Sequence, residues 1–214
     1  MLDVRRPSWE DQQPVNAGEW GLRIMPFTST GIVAGTKVAS SMGWKPVENL
    51  SAGDLVLTFD DGMQPLRAVR HQVLKIETDR RGADWPLRVP QGALGNQSEL
   101  YLLPQQPVLI ESDTAEAMSG DPFVLILAGV LCGVRGIEQV GLSGRVEVTT
   151  LEFADEQLVF ANVGTLFHCA APATDKISTR SYEVLSREDG ELIAACLQDE
   201  DWSVDAAVPR AAYA

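Results

Sequence analysis

The chain has 214 residues and carries 17 Lys and Arg against 30 Asp and Glu, a formal charge of −13 with both histidines neutral. A hydrophobic fraction of 45% and a charged fraction of 22% match soluble globular proteins, so a core can form along most of the length and global disorder is excluded. Binding to phosphate backbones and to anionic lipid both run on Lys and Arg, so the carboxylate excess argues against nucleic acid and membrane as partners.

Residues 1–30 mix Pro7, Pro14 and Pro26 with scattered glycines and show no sustained periodicity. They read as an irregular arm whose Trp9 and Trp20 dock on the domain that follows. Arg5 and Arg6 have no apolar segment behind them, so no cleavable export signal is expected there. From 31 to 170 the texture changes to short apolar runs bounded by Gly, Pro and Asp, among them Ile32 to Val38, Leu55 to Phe59, Leu100 to Leu103, Val146 to Phe153 and Leu158 to Val163. Such runs predict a mainly antiparallel all-β domain, with a hairpin turn at Asp60-Asp61-Gly62. Asp121-Pro122 opens the run FVLILAGVLC and Gly133 closes it, which predicts a helix; a buried strand is the alternative that an unbroken apolar run leaves open. At ten residues it is far short of the ~20 that span a membrane. Residues 171–214 form a C-terminal extension. Within it Ser186-Arg187-Glu188-Asp189 resembles a capping box and opens a helix over 187–197, with Leu192, Ile193, Cys196 and Leu197 on one face. An acidic, then Ala-rich, docked or mobile tail follows.

Site signatures are sparse. Cys132, Cys169 and Cys196 share no short spacing, and with only His71 and His168 beside them no zinc-type ligand set forms; all three read as buried or half-buried thiols. There is no Gly-rich phosphate loop, GxSxG or HExxH, so no cofactor and no metal is expected. His71 falls on the exposed face of a strand-like segment. His168 and Cys169 are adjacent, and neighbouring strand residues point to opposite faces, so they form no nucleophile-base dyad unless the backbone turns there.

The stretch from Gly31 to Thr58 is more specific. Gly35-Thr36, Val38, Gly43, Lys45-Pro46-Val47-Glu48, Leu50, Gly53-Asp54 and Val56-Leu57-Thr58 stand in the order and spacing of the opening of Hint domains, the fold shared by inteins and the autoprocessing part of hedgehog proteins. Leu102 to Ile110 is similar to the second block of bacterial Hint proteins, and Leu158-Val159-Phe160-Ala161-Asn162 to a strand near their end. The resemblance implies a disc- or horseshoe-like fold of short strands with one or two short helices. The glycines permit tight turns, and Thr36 and Asp54 can close them through local hydrogen bonds.

In the family, an initial Cys or Ser attacks the preceding carbonyl, a Thr and a His of the second block activate that carbonyl and the leaving nitrogen, and a terminal His-Asn pair releases the splice product. Carried onto this chain by the family's C-x-x-x-G-T spacing, the nucleophile position is Gly31, which has no side chain. The Ser/Thr position falls on Leu103 and the His position on Gln106, whose amide delivers no proton. Phe167-His168-Cys169 stands near the place of the terminal pair, and Asn162 lies too early. No catalytic residue is therefore assigned. Thr30, one residue before Gly31, and Cys169 with His168 are the candidates for residual self-cleavage. The expected function is a non-cleaving scaffold or binding module for an unidentified protein or small molecule, located in the cytoplasm or exported by a C-terminal signal.

Overall fold

The structure is a computed structural model that describes residues 30–76, 85–141, 144–171 and 181–207. In chain order the elements are β1 (Ile32–Val33), β2 (Lys37–Ser40), β3 (Gly43–Pro46), β4 (Leu55–Thr58), β5 (Gly62–Pro65), β6 (Ala68–Ile76), β7 (Leu87–Val89), β8 (Leu100–Leu102), β9 (Pro107–Glu111), α1 (Asp113–Ser119), β10 (Phe123–Leu127), β11 (Glu138–Gln139), β12 (Gly144–Glu152), β13 (Gln157–Ala161), β14 (Thr165–Cys169) and α2 (Arg187–Ala207). The paired strands run antiparallel in two sheets. One has the order β11-β7-β8-β1-β12-β6; the other has β10-β9-β14-β13-β2-β4-β5, with β3 on β2 and β13 also meeting β4. The domain is all-β, as the run lengths predict, with two helices.

The first sheet elements follow from local chemistry. The run from Ile32 to Val38 breaks at Gly35, whose φ of 87° only glycine adopts without strain, and this divides β1 from β2. The Gly35 N–H donates to the Glu48 carboxylate at 2.9 Å. Asp54 Oδ2 accepts from the Ser51 N–H at 3.0 Å and from Lys45 Nζ at 2.8 Å, and Thr58 Oγ1 donates to the Gly62 carbonyl across the β4–β5 hairpin at 2.9 Å. Lys45 and the Ser51 amide together hold the Asp54 carboxyl below the usual carboxylate range.

The helix expected over 123–132 is not there. Phe123–Leu127 is strand β10, paired along its whole length with β9 from Phe123↔Glu111 to Leu127↔Pro107, and only Ala128–Leu131 turns as a 3-10 helix. Asp121 does open the segment, but its Oδ1 accepts from the Phe123 N–H at 2.9 Å as a turn at the strand entrance. An apolar run without period takes whichever geometry a neighbouring edge offers, and β9 supplies that edge. The helix instead precedes it. In α1 the Ser112 side chain accepts from the Ala115 N–H at 3.4 Å, Asp113 and Glu116 occupy the first turn, and Gly120 closes the end in the left-handed conformation.

The capping of α2 matches the sequence: the Asp189 N–H donates to Ser186 Oγ at 3.1 Å, and that hydroxyl donates to Asp189 Oδ2 at 2.6 Å. The helix runs on to Ala207, ten residues past the expected end. Its buried stripe is Gly190, Ile193, Ala194 and Leu197; Leu192 is 49% exposed, which corrects its placement on the core face. Residues just before the helix lie along β10, with Val184 bridging Leu125 in parallel and the Leu185 N–H donating to the Leu125 carbonyl at 2.8 Å. This part of the C-terminal extension is thus built into the second sheet's packing. Cys169 is buried and Cys196 half-buried as expected, whereas Cys132 is exposed. His71 lies exposed on β6, its Nδ1 3.1 Å from Thr149 Oγ1. Trp9, Trp20 and the last residues of the tail lie outside the described residues, among which no helix is long and apolar enough to cross a membrane.

Candidate functional site

Three distant pieces of chain meet where the two sheets join. Gly31 leads into β1, which lies on β12 through Ile32↔Thr149; Gln106 leads into β9; His168 and Cys169 end β14. Gln106 connects all three. Only 2% exposed, it accepts from the Gly31 N–H through Oε1 at 3.1 Å and donates from Nε2 to the Pro107 carbonyl at 3.0 Å and the His168 carbonyl at 2.9 Å. Both ends of the amide are used. A buried amide in this position holds the two ends of the domain together and has no proton to give.

Beside it opens a cleft of about 200 Å³ walled by Thr30, Gly31, Gln106, Thr149, Thr150, Glu152 and Cys169, with His168 also reaching its lining. Thr30 stands exposed at this cleft. Gly31 has φ of 140°, and a Cβ there would lie 2.5 Å from Val148 Cγ1 and 3.3 Å from the Thr149 carbonyl oxygen. β12 occupies the space that a side chain at position 31 would need. Leu103, 3% exposed, packs into an apolar cluster with Val33, Leu74, Val146 and Val148. It contributes packing at the position where the resemblance expects a hydroxyl.

The structure separates the side chains of His168 and Cys169. Cys169 shares the main core with Phe167, and burial pushes its thiol up to about 12, so it is a neutral thiol at neutral pH. The His168 ring sits on the other face of β14, with Nε2 3.3 Å from Glu156 Oε2 and its centroid 5.8 Å from the Tyr182 ring. Glu156 Oε2 also accepts from the Tyr182 N–H at 3.0 Å, and the Tyr182 hydroxyl donates to Asp60. His168 therefore anchors the segment leading to α2. The period of a strand, two residues, is what keeps the imidazole from the thiol.

Sequence reasoning reached Thr30, Gly31, Gln106, His168 and Cys169, and the cleft gathers all five. It missed Thr149, Thr150 and Glu152, which come from the middle of β12 and carry no motif, and it missed Glu156 and Tyr182, which matter only through the fold. Among the described residues no group of three or more His, Cys, Asp or Glu could hold a metal.

The family model of the Hint domain matches residues 30–166, most of the chain, and the protein belongs to the Hint-domain family. Solved structures that the chain matches include a splice-inactive variant of the AceL NrdHF class 3 split intein, at 16% identity and a TM-score of 0.44 over 67% of this chain and 99% of that one. A bacterial intein-like domain from Clostridium thermocellum follows at 17% identity and 0.42, over 65% and 99%, and the gp41-1 intein at 16% and 0.41, over 64% and 98%. No curated protein matches the sequence.

Proposed function

We propose that this Hint-domain protein does not cleave itself and acts as a scaffold or binding module. One observation carries the reading: at the nucleophile position Gly31 has no side chain, Val148 fills the room for one, and the Gly31 amide is tied to Gln106. Acyl transfer needs an activated nucleophile beside a base. The amide of Gln106 supplies neither, and the buried Cys169 thiol is held away from its reactive thiolate form. The partner is a protein or a small molecule, and the compartment is the cytoplasm, or the exterior if residues 203–214 act as an export signal.

A second reading, self-cleavage, rests on the exposed Thr30 at the cleft. Intact mass of the full chain, before and after long incubation with dithiothreitol or hydroxylamine, decides between them. An unchanged mass near 23.2 kDa is expected; loss of a fragment ending near residue 30, or a cut near Cys169, establishes cleavage.

A further inference from the structure

The outer face of the second sheet carries an apolar surface that the cleft does not use. In β4, Val56 and Thr58 are buried at 0% and 1%, so strand alternation turns Leu55, Leu57 and Phe59 outward. Leu55, Phe59, Met63 and Phe123 are 40–44% exposed, and Met63 stands opposite Leu57 in the β4–β5 register. The Phe59 ring lies edge-on to Phe123 at 6.2 Å and tilted against Phe160 at 6.1 Å. Exposed Phe59, Phe123 and Met63 beside half-buried Phe160 have the composition of interface cores rather than of ordinary surface.

The surroundings of this patch define the partner. Asp60 and Asp61 follow Phe59 directly, Glu111 is the cross-strand neighbour of Phe123, and Asp121 sits two residues before it; all four residues are exposed, with Asp60 also accepting from the Tyr182 hydroxyl and Asp61 from Gln157 Nε2. A second copy would bring the same carboxylates, and another charge of −13, against them, which opposes self-association through this face. We propose that the Phe59–Phe123–Phe160 surface docks a cationic, apolar peptide segment of another protein, with Phe59 and Met63 as anchors and the carboxylates pairing with Lys or Arg. The proposal deepens the reading as a binding module and rests on it.

The test titrates the full-length chain into a fluorescein-labelled peptide of alternating Lys with Leu or Phe and follows anisotropy. The same peptide with Glu for Lys, and with Ser for Leu and Phe, gives the comparison. Binding is expected for the cationic apolar peptide alone, weakened by salt, and reduced about tenfold or more by Phe59→Ser. Met63→Ser, on the outermost strand, repeats the test where Phe59→Ser fails to fold, and Glu111→Gln is expected to flatten the salt dependence. No binding at millimolar peptide, equal binding by the Glu peptide, or affinity unchanged in both anchor variants overturns the proposal. So does a dimer in sedimentation equilibrium that Phe59→Ser abolishes, which would assign the surface to a second copy. Self-cleavage is read separately from mass, so failure of the surface and failure of the non-cleaving reading are distinguishable.

Discussion

The turn frame between Gly35 and Gly62 and the cleft around Gly31 are neighbours in the chain but are held by different means. In the frame the turns are closed by short-range bonds: Asp54 reaches Ser51 and Lys45 three and nine residues away, and Glu48 reaches Gly35 across 13, while its strands are joined to the end of β13 by bonds such as Lys37 N–H to Asn162 Oδ1 across 125. In the cleft they are long-range: Gln106 meets Gly31 across 75 residues and His168 across 62. The frame's turns rest on neighbouring residues, whereas the cleft exists only once distant strands are brought together. On the non-cleaving reading proposed above, packing at Gly31 and Leu103 and the amide of Gln106 take the place of a reactive set.

Substitutions can break this contrast, and the largest effect falls on sheet closure. In Gly164→Ala the new Cβ would lie 2.0 Å from the Gly95 carbonyl oxygen, a backbone atom that cannot step aside, and a loss of about 4 kcal/mol or failure to fold is expected in urea denaturation. Gly31→Cys comes next. The clash with Val148 and the φ of 140° predict a loss of about 3 kcal/mol without cleavage, and Val148→Ala in the same chain should recover part of that stability. Cleavage in the double variant would show that the crowding alone silences the site. Gln106→Ala strands the Gly31 N–H and two carbonyls, so about 2 kcal/mol is expected by the same assay.

Titration sharpens the comparison further. The unfolded Cys169 thiol ionises near 9.0 and the folded one near 12, so between these values the native state holds the extra proton and stability falls as pH rises. Cys169→Ala should remove that slope, and iodoacetamide at pH 8 should modify exposed Cys132 in the native protein while sparing Cys169. The smallest effect belongs to the frame. Asp54 has a lowered folded pKa, so its contribution is present above the ordinary carboxylate range and lost as pH falls through the folded value. Asp54→Asn should therefore differ from the parent at neutral pH and converge with it in acid, read as melting temperature against pH.

The hairpin at Asp60-Asp61-Gly62, the break at Gly35 and the cap of α2 were legible because each is settled by side chains within a few residues. The segment at 123–127 was not, since its apolar run has no period and its strand state depends on β9. Leu192 was misplaced because the helix turns Gly190, Ile193, Ala194 and Leu197 inward, a choice that its packing on the sheet makes and its own period leaves open. At the site, the resemblance singled out Gly31 and Gln106, yet nothing in the residues themselves announced that they bond to each other.

The sequence by itself determined the fold class, the turn frame and the absence of a side chain at position 31, because these rest on local backbone preference and residue chemistry. The tertiary structure alone decided that Val148 occupies the space beside Gly31 and that Gln106 staples the domain's two ends. Those outcomes depend on the register between strands brought together from more than sixty residues apart, and no local rule fixes that register.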